Sequence, residues 1–248
     1  VYAMRLDASG QVLDTGGFIV CSSPLDQDEV DVCYNGTDFL VVWDDDRAGG
    51  DTICDIYAAR VTPTGQVRDP NGFPVSTGSF EKRSPAVAFD GTNCLVVWHG
   101  EYDDTSYFDI WGARIASNGT VLDPDPLLVS HFYDNEELPD VAFNGINYFV
   151  TWVDAGRGNR VYGTRVTPGG SVLDTVDIRI TNRSRPCEYP AVFSDGSDWL
   201  VVWDDDIYNS GQDLYGARVS AAGVSLDPNG FAVDGTAFEQ GNGTVSFD

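Results

Sequence analysis

Leu40-Val-Val-Trp43-Asp44 decides the fold, because it returns as Leu95-Val-Val-Trp98-His99, Phe149-Val-Thr-Trp152-Val153 and Leu200-Val-Val-Trp203-Asp204. The tryptophans stand 55, 54 and 51 residues apart. A second segment keeps the same step: Asp55-Ile-Tyr-Ala-Ala-Arg60, Asp109-Ile-Trp-Gly-Ala-Arg114, Arg160-Val-Tyr-Gly-Thr-Arg165 and Asp213-Leu-Tyr-Gly-Ala-Arg218. A fifth copy, Val1-Tyr-Ala-Met-Arg5, opens the chain. Self-similarity at a fixed period of about 53 residues is the mark of a repeat architecture.

Each unit contains four short apolar runs separated by turn residues; in the second unit they are 85–89, 94–98, 109–114 and 127–130. The first two runs are joined by Asp90-Gly91, and by Asn35-Gly36, Asn144-Gly145 and Asp195-Gly196 in the other units, all hairpin turns. Gly10, Gly65, Gly119, Gly170 and Gly223 mark the turn between the third and fourth runs. No helical periodicity interrupts the pattern. Four short antiparallel strands per unit make one propeller blade. A β-sandwich uses similar strands but needs no period running through the chain. The expected fold is therefore all-β, a β-propeller of about five four-stranded blades.

The expected organisation is a single domain, 1–248, with complete blades at 29–80, 83–131, 137–182 and 188–235. The ends are out of phase with these units. Residues 1–23 supply the third and fourth strands of a closing blade and 241–248 its innermost strand, a shared closure that removes open sheet edges. In the alternative, the unfinished blade accepts a strand from a neighbouring subunit and the chain assembles head to tail.

With 39 acidic against 14 basic residues the net charge is −25, and Lys82 is the sole lysine. A field of that sign repels nucleic acid and anionic lipid. No run of eighteen apolar residues is present, so membrane insertion is not expected. The five cysteines, Cys21, Cys33, Cys54, Cys94 and Cys187, form no Cys-x-x-Cys pair, and with only His99 and His131 beside them a structural zinc site is excluded. Their odd number leaves at least one thiol outside any intramolecular pairing. Chains beginning at a valine are expected to be processed or partial products.

Features that obey the repeat read as architecture: the tryptophans Trp43, Trp98, Trp152 and Trp203 as core, and Arg5, Arg60, Arg114, Arg165 and Arg218 as partners of Asp14, Asp69, Asp123, Asp174 and Asp227, nine residues on. Features that break it are the binding candidates. The loops between second and third strands share one face of the disc with the inter-blade loops, and they carry Asp44, Asp45, Asp46 and Asp51; Glu101, Tyr102, Asp103 and Asp104; Asp154; and Asp204, Asp205 and Asp206. Variable loops on a rigid scaffold are where binding is usually placed. Contiguous aspartates diverge rather than converge, so no cofactor is expected, with calcium the one ion the acidic loops leave open.

The unit Val-Ala-Phe-Asp-Gly-Thr-Asn-Cys-Leu-Val-Val-Trp98, followed by Asp109-Ile-Trp-Gly-Ala-Arg114, resembles the β-propeller repeat of large secreted bacterial proteins of uncharacterised function. The resemblance covers nearly the whole chain and implies an extracellular or cell-surface setting; it carries no catalytic residues with it. No Gly-x-Ser-x-Gly, His-Glu-x-x-His or phosphate loop occurs. The expectation that follows is a non-catalytic structural, adhesive or fibre-forming module whose partners are other copies, surface proteins or glycans. Its alternative is a carbohydrate-binding or glycoside-hydrolysing propeller with paired carboxylates in a central funnel.

Overall fold

The computed structural model describes residues 1–48, 53–101, 107–205 and 213–234. Two short strands, β1 (Tyr2–Ala3) and β2 (Phe18–Ile19), are followed by four four-stranded antiparallel sheets. The first holds β3 (Gln27–Tyr34), β4 (Phe39–Asp45), β5 (Asp55–Val61) and β6 (Phe73–Ser76). The second holds β7 (Lys82–Phe89), β8 (Asn93–Gly100), β9 (Asp109–Ala116) and β10 (Leu127–Ser130). In the third are β11 (Glu136–Phe143), β12 (Tyr148–Asp154), β13 (Arg160–Val166) and β14 (Ile178–Arg179). The fourth comprises β15 (Cys187–Ser194), β16 (Trp199–Asp205), β17 (Asp213–Val219) and β18 (Phe231–Asp234).

Within every sheet the strands follow chain order, and the innermost strands β3, β7, β11 and β15 pack against one another in sequence. This is a β-propeller. Its innermost strands begin one or two residues ahead of the expected unit starts. The pair β1–β2 packs on the first blade, with Val20, Cys21, Ala3 and Phe18 against Val41, Trp43 and Ala59, the place of a closing blade. The innermost strand expected at 241–248 lies outside the described residues.

The core lies between blades, which explains the apolar second strands. One cluster joins Leu40, Val42 and Ile56 of the first blade to Val96, Trp98 and Trp111 of the second; two more repeat this between the second, third and fourth. A strand covered on both faces has no solvent side, so Leu-Val-Val-Trp shows no polar alternation. Trp43, Trp98, Trp152 and Trp203 are all buried.

The recurring arginines tie the blades together. Arg60, Arg114, Arg165 and Arg218 each donate to the aspartate nine residues on, as Arg5 does to Asp14. Arg5, Arg114 and Arg165 also reach the next blade, donating to the carbonyls of Pro63, Pro168 and Ala221 at 2.9, 3.3 and 3.2 Å. The glycine of that next turn (Gly65, Gly170, Gly223) has positive φ, and a Cβ there would meet the arginine at about 3 Å, so two constraints select glycine. Arg165→Ala removes the guanidinium donors of Asp174 and the Ala221 carbonyl, leaving Asp174 the backbone N–H of residue 165. It is expected to cost about 2 kcal/mol in urea unfolding, and an unchanged midpoint would show the clamp to be idle.

Candidate functional site

Each innermost strand is interrupted near its start. The register shifts between Asp28 and Asp31, Arg83 and Ala86, Glu137 and Asp140, and Glu188 and Ala191. The bulged residues Glu29, Ser84, Leu138 and Tyr189 take φ of 47°, 52°, 55° and 48°. Three are followed by proline (Pro85, Pro139, Pro190), which has no N–H to offer a ladder. Left-handed backbone in non-glycine residues stores strain and often accompanies functional positions. Around the axis these bulges frame a cavity of about 500 Å³, lined by Glu29, Asp31, Ser84, Leu138, Asp140 and Tyr189 among others. A volume of that size suits a small ligand.

The repeat breaks at this cavity. The position two beyond the bulged residue is Asp31, Ala86, Asp140 and Ala191 in the four blades. Asp31 accepts the Val87 N–H of the next blade at 2.8 Å, and Asp140 accepts that of Val192 at 2.7 Å. Each also accepts the amide of its own following residue. These bonds hold both carboxylates in one orientation beside the cavity. Burial pushes the Asp140 carboxyl up to about 7, against its two amide donors and with a contribution from the charge of Asp31; burial raises Asp31 as well. The cavity therefore holds one carboxyl that is partly protonated near neutral pH, within electrostatic reach of another.

Glu29, exposed at the mouth, accepts the Ser84 hydroxyl at 2.6 Å. Behind it, burial and the Glu29 charge push Asp44 up to about 7, partly offset by Arg83. The buried His99 occupies the equivalent place in the second blade and accepts the Leu138 N–H on Nδ1 at 3.3 Å. Burial pushes it down to about 4, so the imidazole is neutral, with its proton on Nε2.

The described acids of the candidate binding loops sit at the ends of the second strands. Asp44, Asp45, Asp154, Asp204 and Asp205 are buried there, with exposures of 2%, 0%, 0%, 2% and 0%. Asp45 accepts the Trp43 indole N–H at 2.8 Å and pairs with Arg47; Asp154 pairs with Arg157 and Asp205 with Arg183. Each guanidinium then stacks on the aromatic ring of the third strand: Arg47 on Tyr57, Arg157 on Tyr162 and Arg183 on Tyr215, at 3.9, 3.9 and 3.8 Å. The loop arginines neutralise the strand-end acids and draw them inside. The second blade has Gly100 and Trp111 at these positions, with the Trp111 indole N–H on the Gly100 carbonyl. A Cβ at Gly100 would sit 2.8 Å from the Glu81 carbonyl. Asp46 accepts the Cys54 thiol, and the Glu101 N–H donates to the Glu81 carbonyl. Asp51, Tyr102, Asp103, Asp104 and Asp206 lie outside the described residues.

Among the described residues, no group of three or more His, Cys, Asp or Glu side chains is arranged to hold a metal ion, and no helix is long and apolar enough to cross a membrane.

No protein-family profile matches the chain, and no curated protein matches it. Solved structures do. An endo-arabinanase of glycoside hydrolase family 43 from Bacillus licheniformis is 13% identical over 88% of this chain and 83% of its own, with a TM-score of 0.53. A thermostable family-43 glycoside hydrolase is 9% identical over 90% and 80%, with a TM-score of 0.59. An exo-β-1,3-galactanase from Phanerochaete chrysosporium is 10% identical over 95% and 56%, with a TM-score of 0.57. At these identities the likeness establishes the fold. It also overturns the expectation of a non-catalytic structural, adhesive or fibre-forming module, and with it the view that this propeller is not an enzyme: similar propellers are hydrolases.

Proposed function

We propose that the chain is a carbohydrate-acting propeller that hydrolyses glycosidic bonds of a polysaccharide held at the mouth of its central channel. The observation that carries this is the pair Asp31 and Asp140, which replace the alanines of alternate blades and open on one cavity. Glycoside hydrolysis needs one carboxylic acid to protonate the departing oxygen and one carboxylate to assist at the sugar carbon. Environments that hold two carboxyls at different protonation assign those roles. Asp140, which burial pushes up to about 7, is the proton donor and Asp31 its partner at the sugar carbon, with Glu29 and Tyr189 at the entrance to meet substrate hydroxyls and ring faces. Substrates of this kind place its work outside the cell or at its surface.

The similar structures name arabinan and β-1,3-galactan as the first polymers to try. Purified protein is expected to release reducing ends from at least one of them and to be retarded by it in affinity electrophoresis. Neither hydrolysis nor retardation across a panel that also includes xylan would overturn the proposal.

A further inference from the structure

The interface between the first and second blades departs from the repeat at two positions, and the two departures touch. Two residues beyond the Asp31 position, the innermost strands carry Cys33, Ala88, Ala142 and Phe193; at one repeat position the second strands carry Phe39, Cys94, Tyr148 and Trp199. Where the second blade meets the third, Ala88 packs in the cluster that holds Tyr148. Where the third meets the fourth, Ala142 packs with Trp199. A small residue thus faces a large aromatic from the next blade. Between the first and second blades the pair is instead Cys33 and Cys94, whose sulfurs lie 3.4 Å apart. Cys94 is fully buried, with Cys33 packed beside it.

We propose that Cys33 and Cys94 are a modification site, oxidised to a disulfide that staples the first blade to the second. A disulfide has an S–S bond of about 2.05 Å, so small rotations of the two side chains close the remaining gap. Two thiols occupy less volume than an alanine and an aromatic ring, and a covalent bond compensates for the dispersion contacts given up. It closes a loop whose ends are 61 positions apart in sequence, long enough for a large loss of unfolded-state entropy. The step balances by exchange with a low-molecular-weight disulfide such as oxidised glutathione. The first cysteine loses its proton, attacks and releases one thiol; the second displaces the other thiol and forms the protein disulfide. Each protein gives up two hydrogens, and one glutathione disulfide becomes two glutathiones. The contact with the Cys94 thiol and then burial disfavour the Cys33 thiolate, so the bond forms while the blades are still assembling.

The test is to refold the full chain in a glutathione redox buffer, alkylate the free thiols and map peptides by mass spectrometry without reduction. The expected result is a peptide containing Cys33 joined to one containing Cys94, with Cys21, Cys54 and Cys187 alkylated. The oxidised protein is expected to melt about 10 °C above the reduced one. Cys33→Ala, which installs the residue used by the second and third blades, should fold and should melt alike with and without reductant. Alkylation of both Cys33 and Cys94 after oxidative refolding, or their linkage to other cysteines, would overturn the proposal.

Discussion

Asp140→Asn is expected to lower kcat/KM on a polysaccharide substrate by about 10³-fold or more, since general acid catalysis alone contributes about 10²–10⁴. The side chain keeps one oxygen to accept the Val192 N–H, but its NH2 takes the place of the oxygen that accepts the Val141 N–H, so the melting temperature of the variant is measured beside its activity to separate lost chemistry from lost folding. Wild-type activity should fall as pH rises through about 7, where Asp140 loses the proton it must donate. Residual activity of the variant should show no such alkaline limb. Asp31→Asn should be as damaging while leaving that limb in place, because the acid is untouched. Hydrolysis by either variant at the wild-type rate would remove these carboxyls from the chemistry. Loss of activity with both pH limbs intact in Asp140→Asn would assign the proton donor elsewhere.

The second large effect concerns stability. Glu136 is fully buried, where its Oε1 accepts the Ser130 hydroxyl at 2.8 Å and the Trp152 indole N–H at 3.0 Å. Burial pushes it from 4.5 up to about 8; the Ser130 bond opposes this, the charges of Asp177 and Asp154 add to it, and Arg157 offsets part. A carboxyl raised on folding retains its proton in the native state after the unfolded chain has released it. Its contribution is whole below about 4.5 and is lost progressively as pH rises to about 8, by up to about 1.4 kcal/mol per pH unit. Asp44 and Asp140 act in the same direction below about 7. Asp69 and Asp123 are lowered, so their window lies below the usual carboxylate range and does not cancel this one. His99, held down at about 4, works the other way as pH rises to its ordinary 6.5 and offsets part of the change; three raised carboxyls outweigh one imidazole, so the melting temperature should fall between pH 5 and pH 8. Glu136→Gln keeps an acceptor for Trp152 and Ser130, and should melt above wild type at pH 8 with a shallower slope. Parallel curves for the two proteins would refute the assignment.

The blades were legible because their signals are local. Leu-Val-Val-Trp, the Asp-Gly turn and the recurrent arginine each report on a few neighbouring residues, and repetition separates them from chance. Repetition also indicated that Trp43 and its copies are core. The acidic loops were legible as charge but not as environment: whether Asp45 faces water or Arg47 depends on a guanidinium stacked on Tyr57, a ring reached only through the hairpin. Asp31 and Asp140 carried a usable signal, the alternation with Ala86 and Ala191 at one repeat position. It lies in the innermost strands, however, where regularity reads as architecture, and it is a far weaker break in the repeat than the acidic loops make.

By itself the amino-acid sequence determined the all-β class, the period and the strand composition of each blade, because hydrophobic pattern and turn chemistry act over short stretches of chain. Only the tertiary structure decided which residues meet across blades. Asp31 and Asp140 share a cavity 109 residues apart in sequence, and Cys33 touches Cys94 across an interface. Burial and neighbouring like charge, which raise Asp140 and Glu136, exist only once the blades bring those groups together.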